Sequence, residues 1–134
     1  MSRILIVDDD PSILTMLRSV LSAEGHEIVT SDDGAAACAL LKQRPFDLLI
    51  TDIVMPKQDG LETILAIRRD RPELPILAIS GGGRYAWTDV LEAAELFGAS
   101  RTLVKPFSMC TLVACIRELV GSGARSTGDP GRAA

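Results

Sequence analysis

Short, almost purely apolar runs alternate along the chain with longer stretches whose apolar residues recur at helical spacing. Arg3–Val7 (RILIV) is a continuous apolar run that stops at carboxylates, as a strand buried on both faces of a parallel sheet does. Asp10-Pro11 supplies a helix N-cap followed by proline at the first helical position. Ile13, Met16, Leu17, Val20 and Leu21 then repeat on one helical face until Gly25. Glu27–Ser31 (EIVTS) predicts a second strand, and Asp32 or Asp33 caps a helix reaching Gln43. Asp47–Thr51 (DLLIT) predicts the third strand, residues 55–60 a turn, and Leu61–Asp70 the third helix. Pro75–Ser80 (PILAIS) is the fourth strand, Ala86–Phe97 the fourth helix, and Arg101–Val104 the short fifth strand. Met109, Leu112, Val113, Ile116, Leu119 and Val120 mark the fifth helix. Gly121–Ala134 is small, polar and glycine-rich, and predicts a disordered tail behind a folded unit of residues 1–120.

Five βα units in succession predict an α/β fold: one doubly wound parallel sheet with helices on both faces. At 134 residues there is room for one domain with a real core. Hydrophobic residues make up 47% and charged residues 24%, ordinary for a globular chain. The net charge of −4, with no basic cluster beyond Arg68, Arg69 and Arg71, argues against direct nucleic-acid binding. No apolar run approaches the roughly 20 residues that span a bilayer, and the N-terminus lacks a signal-peptide layout, so a cytoplasmic protein is expected. An odd cysteine count (Cys38, Cys110, Cys115) suits a reducing compartment. Cys110 and Cys115, five apart and with no histidine nearby, read as structural.

Ligands of open α/β sheets sit at the carboxyl ends of the strands. Here those ends carry Asp8-Asp9, Asp52, Ser80 and, after the fifth strand, Lys105. Taken singly, each is an ordinary turn or surface residue. Together they are a different proposition. Three crowded carboxylates repel one another unless a cation sits among them, and oxygen-only ligands suit Mg²⁺ or Mn²⁺. A metal, an ammonium and a hydroxyl around a carboxylate make a site for a phosphoryl group, with Asp52 as the acceptor.

The segments ILIVDDDPSI (4–13), DLLITDIVMPKQDGLE (47–62), PILAIS (75–80) and LVKPF (103–107) carry a family resemblance. From residue 3 to about 120 the chain resembles a response-regulator receiver domain. The resemblance implies a flavodoxin-like three-layer sandwich with strand order 2-1-3-4-5. It implies phosphorylation of Asp52, with Mg²⁺ held by Asp9 and Asp52, by Asp8 mainly through water, and by the backbone carbonyl of Val54. Lys105 would pair with the phosphoryl group, Ser80 would bond it after a switch, and the Lys105-Pro106 bond would be cis. The donor would be a sensor histidine kinase or a histidine phosphotransfer protein. The product would be a signalling module rather than an enzyme, acting through protein binding or phosphorelay. The face formed by the fourth helix, fifth strand and fifth helix would meet the downstream target or form a homodimer.

Leu103 departs from the pattern, since many receivers place an aromatic there. With Gly81-Gly82-Gly83 following Ser80, activation is expected to order that loop rather than flip a ring. Tyr85 and Trp87 read as packing residues, with a partner-binding patch as the alternative, and His26 as a solvated turn residue. Three competing readings remain. A phosphatase of the haloacid-dehalogenase type would use the Asp8–Asp10 spacing, but it lacks a cap domain and leaves the Asp52 block unexplained. A flavodoxin-like FMN binder would meet repulsion from Asp8-Asp9-Asp10. A degenerate receiver would act by protein binding without phosphorylation.

Overall fold

A computed structural model describes residues 2–55, 58–80, 95, 98–104 and 107–124. The glycines at 81–83, Tyr85, Trp87, Lys105, Pro106 and nearly all of the helix expected over Ala86–Phe97 lie outside the described residues, so the expectations for them, the cis bond included, are not addressed.

The elements, in chain order, are β1 (Arg3–Val7), α1 (Pro11–Ala23), β2 (Glu27–Ser31), α2 (Gly34–Gln43), β3 (Leu48–Asp52), β4 (Val54–Met55), β5 (Gln58–Asp59), α3 (Gly60–Asp70), β6 (Ile76–Ser80), β7 (Arg101–Val104) and α4 (Met109–Ala124). α4 is the helix counted fifth in the sequence pattern. β1, β2, β3, β6 and β7 form one parallel sheet ordered β2-β1-β3-β6-β7. Without the small hairpin strands this is the expected 2-1-3-4-5 order.

The apolar runs explain the layering. Alternate side chains of each strand point to opposite faces. Ile4, Ile6, Leu48, Ile50, Leu77 and Ile79 meet Leu17 and Leu21 of α1 and Leu112, Ile116 and Leu119 of α4. Leu5, Val7, Leu49, Ile76 and Ala78 meet Ala37 and Leu41 of α2 and Ile64 and Ile67 of α3. Every residue of β3 and β6 is buried, so neither strand has a solvent face to alternate with.

Local chemistry sets the helix starts. The Asp10 carboxylate accepts from Ser12 N at 2.9 Å and caps α1 ahead of Pro11. Asp33, rather than Asp32, caps α2 by accepting from Ala36 N at 2.8 Å. At the exit of α1, Gly25 adopts φ +95°, a left-handed conformation that suits glycine.

Several expectations need correction. The third strand runs one residue later than predicted and includes Asp52, because the ladder continues through Asp52↔Ile79 and Ile53 N donates to Ile79 O at 3.0 Å. The segment read as a plain turn is an antiparallel hairpin pairing Val54↔Asp59 and Met55↔Gln58. α4 continues to Ala124, past the tail boundary placed at Gly121. Glycine is a poor helix former but not a steric stop, and each added residue gains a hydrogen bond. His26 is half-buried instead of solvated, and its Nδ1 is buried without a hydrogen-bond partner among the described residues. The turn at Gly25 folds it inward, and its amide donates to Leu21 O. The cysteines follow expectation: Cys110 is exposed, Cys115 buried, Cys38 intermediate, and all three are free. Among the described residues, no helix is long and apolar enough to cross a membrane.

Candidate functional site

The site lies where β1, β3 and β6 end side by side. Asp8 follows β1, Asp52 closes β3, and Ser80 closes β6 one position beyond Ile79, the register partner of Asp52. A carboxylate oxygen from each of Asp8, Asp9 and Asp52 lies within 4.8 Å of the other two. Asp8 and Asp52 are 2% and 5% exposed, whereas Asp9 faces solvent.

Backbone geometry holds the group in place. Asp8 N donates to Ser31 O at 3.2 Å, which ties the end of β1 to β2. Asp8 Oδ1 accepts from Asp10 N at 2.9 Å, which folds the Asp8–Asp10 turn back toward the sheet. The Thr51 hydroxyl is wholly buried and donates to Asp52 O at 3.1 Å. Asp10 does not join the trio, because its carboxylate caps α1 and also accepts from the Ser12 hydroxyl at 2.7 Å. The Asp8–Asp10 pair that the phosphatase reading relied on is therefore divided between two jobs.

Two carboxylates about 5 Å apart repel by about 3–4 kcal/mol at an effective dielectric near 20. Burial of both Asp8 and Asp52 adds a desolvation penalty. A small divalent cation between them would convert that repulsion into attraction. All the donors are hard oxygens, which fit Mg²⁺ or Mn²⁺ and not the softer metals that favour thiolate or imidazole.

Ser80 is fully buried, and its Oγ has no hydrogen-bond partner among the described residues. A buried hydroxyl in that state is uncommon, because lost solvation goes unrepaid. Val54, named above as a carbonyl ligand, opens β4 two residues after Asp52. Leu103 lies on β7 and packs, half-buried, against the core on the α1 and α4 side. Lys105 follows β7 directly in sequence and lies outside the described residues.

The response regulator receiver domain model matches residues 4–117. This chain belongs to that family. It is a receiver domain of the response regulators of two-component systems. It is similar to the transcriptional regulatory protein CpxR of Escherichia coli K12, 36% identical over 120 residues that make up 90% of this chain and 50% of CpxR. The receiver domain thus spans about half the length of the curated relatives it matches first. Among solved structures, it resembles a CheY-like response regulator receiver domain protein from Methanospirillum hungatei. That likeness has a TM-score of 0.87 and 27% identity, and covers 94% of this chain and 98% of the other. It also resembles the response regulator TrrA from Thermotoga maritima in complex with Mg²⁺ and BeF, with a TM-score of 0.78 and 32% identity over 89% of this chain and 99% of that one.

Sequence reasoning found the three carboxylates and Ser80 but missed Thr51 and Arg68. Thr51 read as one more strand residue. Arg68 read only as part of the densest basic run; it is half-buried and bonded to carbonyls. Nothing in its spacing signals that.

Proposed function

We propose that this receiver domain accepts a phosphoryl group on Asp52 from a phosphohistidine of a sensor kinase or phosphotransfer protein. The observation that carries the reading is the gathering of three carboxylates within 4.8 Å at the strand ends. The Mg²⁺ and BeF bound by TrrA support it, since BeF resembles a phosphoryl group in charge and shape. Asp8, Asp9, Asp52 and the Val54 carbonyl would hold Mg²⁺ or Mn²⁺, which supplies charge neutralisation for a transferring phosphoryl group.

A carboxylate oxygen of Asp52 attacks phosphorus. The oxygen–phosphorus bond forms as the phosphorus–nitrogen bond of the donor breaks, and the electron pair leaves with the imidazole nitrogen. The product is an aspartyl phosphate. The Ser80 hydroxyl then donates to a phosphoryl oxygen, giving its buried Oγ the partner it lacks. Lys105 pairs with the same group. The domain turns over no other substrate, and its output is protein binding or onward relay in the cytoplasm. The receiver fold contributes no nucleic-acid or membrane contact of its own.

Intact mass after incubation with Mg²⁺ and acetyl phosphate tests the proposal, with wild type beside Asp52→Asn. A gain of one phosphoryl group by the wild type alone is the expected result. No gain by the wild type, with Mg²⁺ binding confirmed, would leave a receiver that signals without phosphorylation.

A further inference from the structure

β7 is the weakest strand of the sheet. It is four residues long, it has β6 as its one neighbour among the described strands, and none of its residues is fully buried. Burial cannot fix such a strand, and short edge strands fray first. The strand nevertheless brings Val104, the residue before Lys105 in sequence, beside Ser80 through the register Ser80↔Val104.

What fixes β7 lies at its other end. The Arg68 guanidinium, on the last turn of α3, donates to four carbonyl contacts. Its Nε and one terminal nitrogen reach Gly98 O at 3.2 and 2.8 Å. Its other terminal nitrogen reaches Arg71 O at 3.0 Å and Pro72 O at 2.7 Å. Gly98 itself has φ +126°, and a Cβ there would stand 2.9 Å from Arg68 Cγ, so glycine is what lets the guanidinium approach. Two residues on, Ser100 N donates to Ile76 O at 2.8 Å, and Ile76 N donates to Ser100 Oγ at 3.1 Å. The starts of β6 and β7 are thus locked together beside a planar, five-donor fork that also closes the carboxyl end of α3. Burial lowers the Arg68 pKa from its ordinary value, opposed by Glu73, as expected for a guanidinium held against carbonyls instead of water.

We propose that Arg68 is a positioning residue: by clasping Gly98 it fixes the register of β7 on β6, and so the placement of Ser80, at the end of β6, beside Asp52. The metal carboxylates sit on β1 and β3, outside its reach. The role in phosphorylation rests on the function proposed above; the role in strand placement does not.

Amide exchange and phosphorylation of the full chain test this in Arg68→Met, which keeps an apolar stem and loses every donor. Exchange rises about tenfold at Ser80, Leu103 and Val104 and less than about threefold at Ile6 and Ile50. Mg²⁺ affinity stays within about twofold of wild type, while phosphorylation by acetyl phosphate at saturating Mg²⁺ slows about tenfold. A rise confined to residues 98–101, or one equal across the sheet, overturns the proposal. So does an equal loss of Mg²⁺ affinity and phosphorylation rate. If the wild type takes no phosphoryl group, the function reading fails and exchange alone decides the clasp. Should Arg68→Met not fold, Arg68→Lys, which keeps the stem and charge but loses the planar fork, must give the same pattern at smaller amplitude.

Discussion

Ser80→Ala should make the unphosphorylated domain more stable and the phosphorylated domain less so. In the resting protein Ser80 is wholly buried and its Oγ has no partner among the described residues. An unsatisfied buried hydroxyl costs about 1–3 kcal/mol. Alanine removes that penalty and leaves a void of about 10 Å³, worth only about 0.2 kcal/mol. The net gain is about 1 kcal/mol. With about 2.1 cal/mol/K of unfolding entropy per residue over 134 residues, that raises Tm by about 3–4 °C. Once Asp52 carries a phosphoryl group, wild-type Ser80 gains a charged acceptor worth about 1.5–3 kcal/mol, which alanine cannot use. The assay is calorimetry of wild type and variant, each with and without acetyl phosphate in Mg²⁺. Opposite signs in the two states are required. A resting variant that melts below wild type would show that the hydroxyl is already satisfied, and the reasoning would fail.

Mg²⁺ should raise the melting temperature of the wild type, with about 2.7 kcal/mol of stabilisation at a hundredfold excess over Kd; Asp9→Asn, at an exposed position, should weaken that response without lowering stability in chelator, as thermal melts with and without Mg²⁺ will show. Leu77→Ala, at a side chain with no exposure between α1 and α4, should cost about 2–5 kcal/mol in urea unfolding. Burial lowers the His26 pKa below its ordinary 6.5, against the opposing pull of Glu24 and Asp47. The unfolded chain therefore binds that proton more tightly, so stability falls as pH drops through about 6.5 towards the lower folded value and is unaffected by this group above it. His26→Gln should flatten that part of the profile, and urea midpoints between pH about 7.5 and about 5.5 check it.

The legible parts of the fold were those in which one strong local signal decides. Short runs rich in apolar residues between the helical stretches placed all five sheet strands to within a residue; the signal is cleanest for β3 and β6, which are buried on both faces. Asp10 with Pro11, and Asp33, fixed two helix starts through the same side-chain bonds seen in the structure. The hairpin β4–β5 was not legible. Two-residue strands have no periodicity, and the Met55-Pro56 pair spoke for a turn. Asp52 looked like the residue after a strand because it is polar, but backbone pairing is indifferent to side-chain polarity. The role of Arg68 was not legible because its surroundings come from residues far along the chain, such as Gly98, thirty positions away.

That last point bears on how the two halves of the site are held. Asp8 follows β1 and Asp52 closes β3, two of the three strands flanked on both sides and buried along nearly their whole length. Their positions follow from hydrophobic burial, which the sequence displays openly. Ser80 closes β6, which is itself fully buried, but the outer neighbour of β6 is β7, the half-exposed edge strand that precedes Lys105 in sequence. Placement there depends on individual polar bonds: Arg68 to Gly98, Ser100 to Ile76, and the ion pair of Arg101 with Glu118. Asp8 and Asp52, set in a packed core, stay put whether or not a phosphoryl group is present. A hydroxyl whose outer neighbour is a half-exposed edge strand can shift by breaking a few bonds on that side, each worth about 1–3 kcal/mol. A switch operated by one phosphoryl group needs that asymmetry, because the new contacts to Ser80 and Lys105 must outweigh only what holds the edge and not what holds the core.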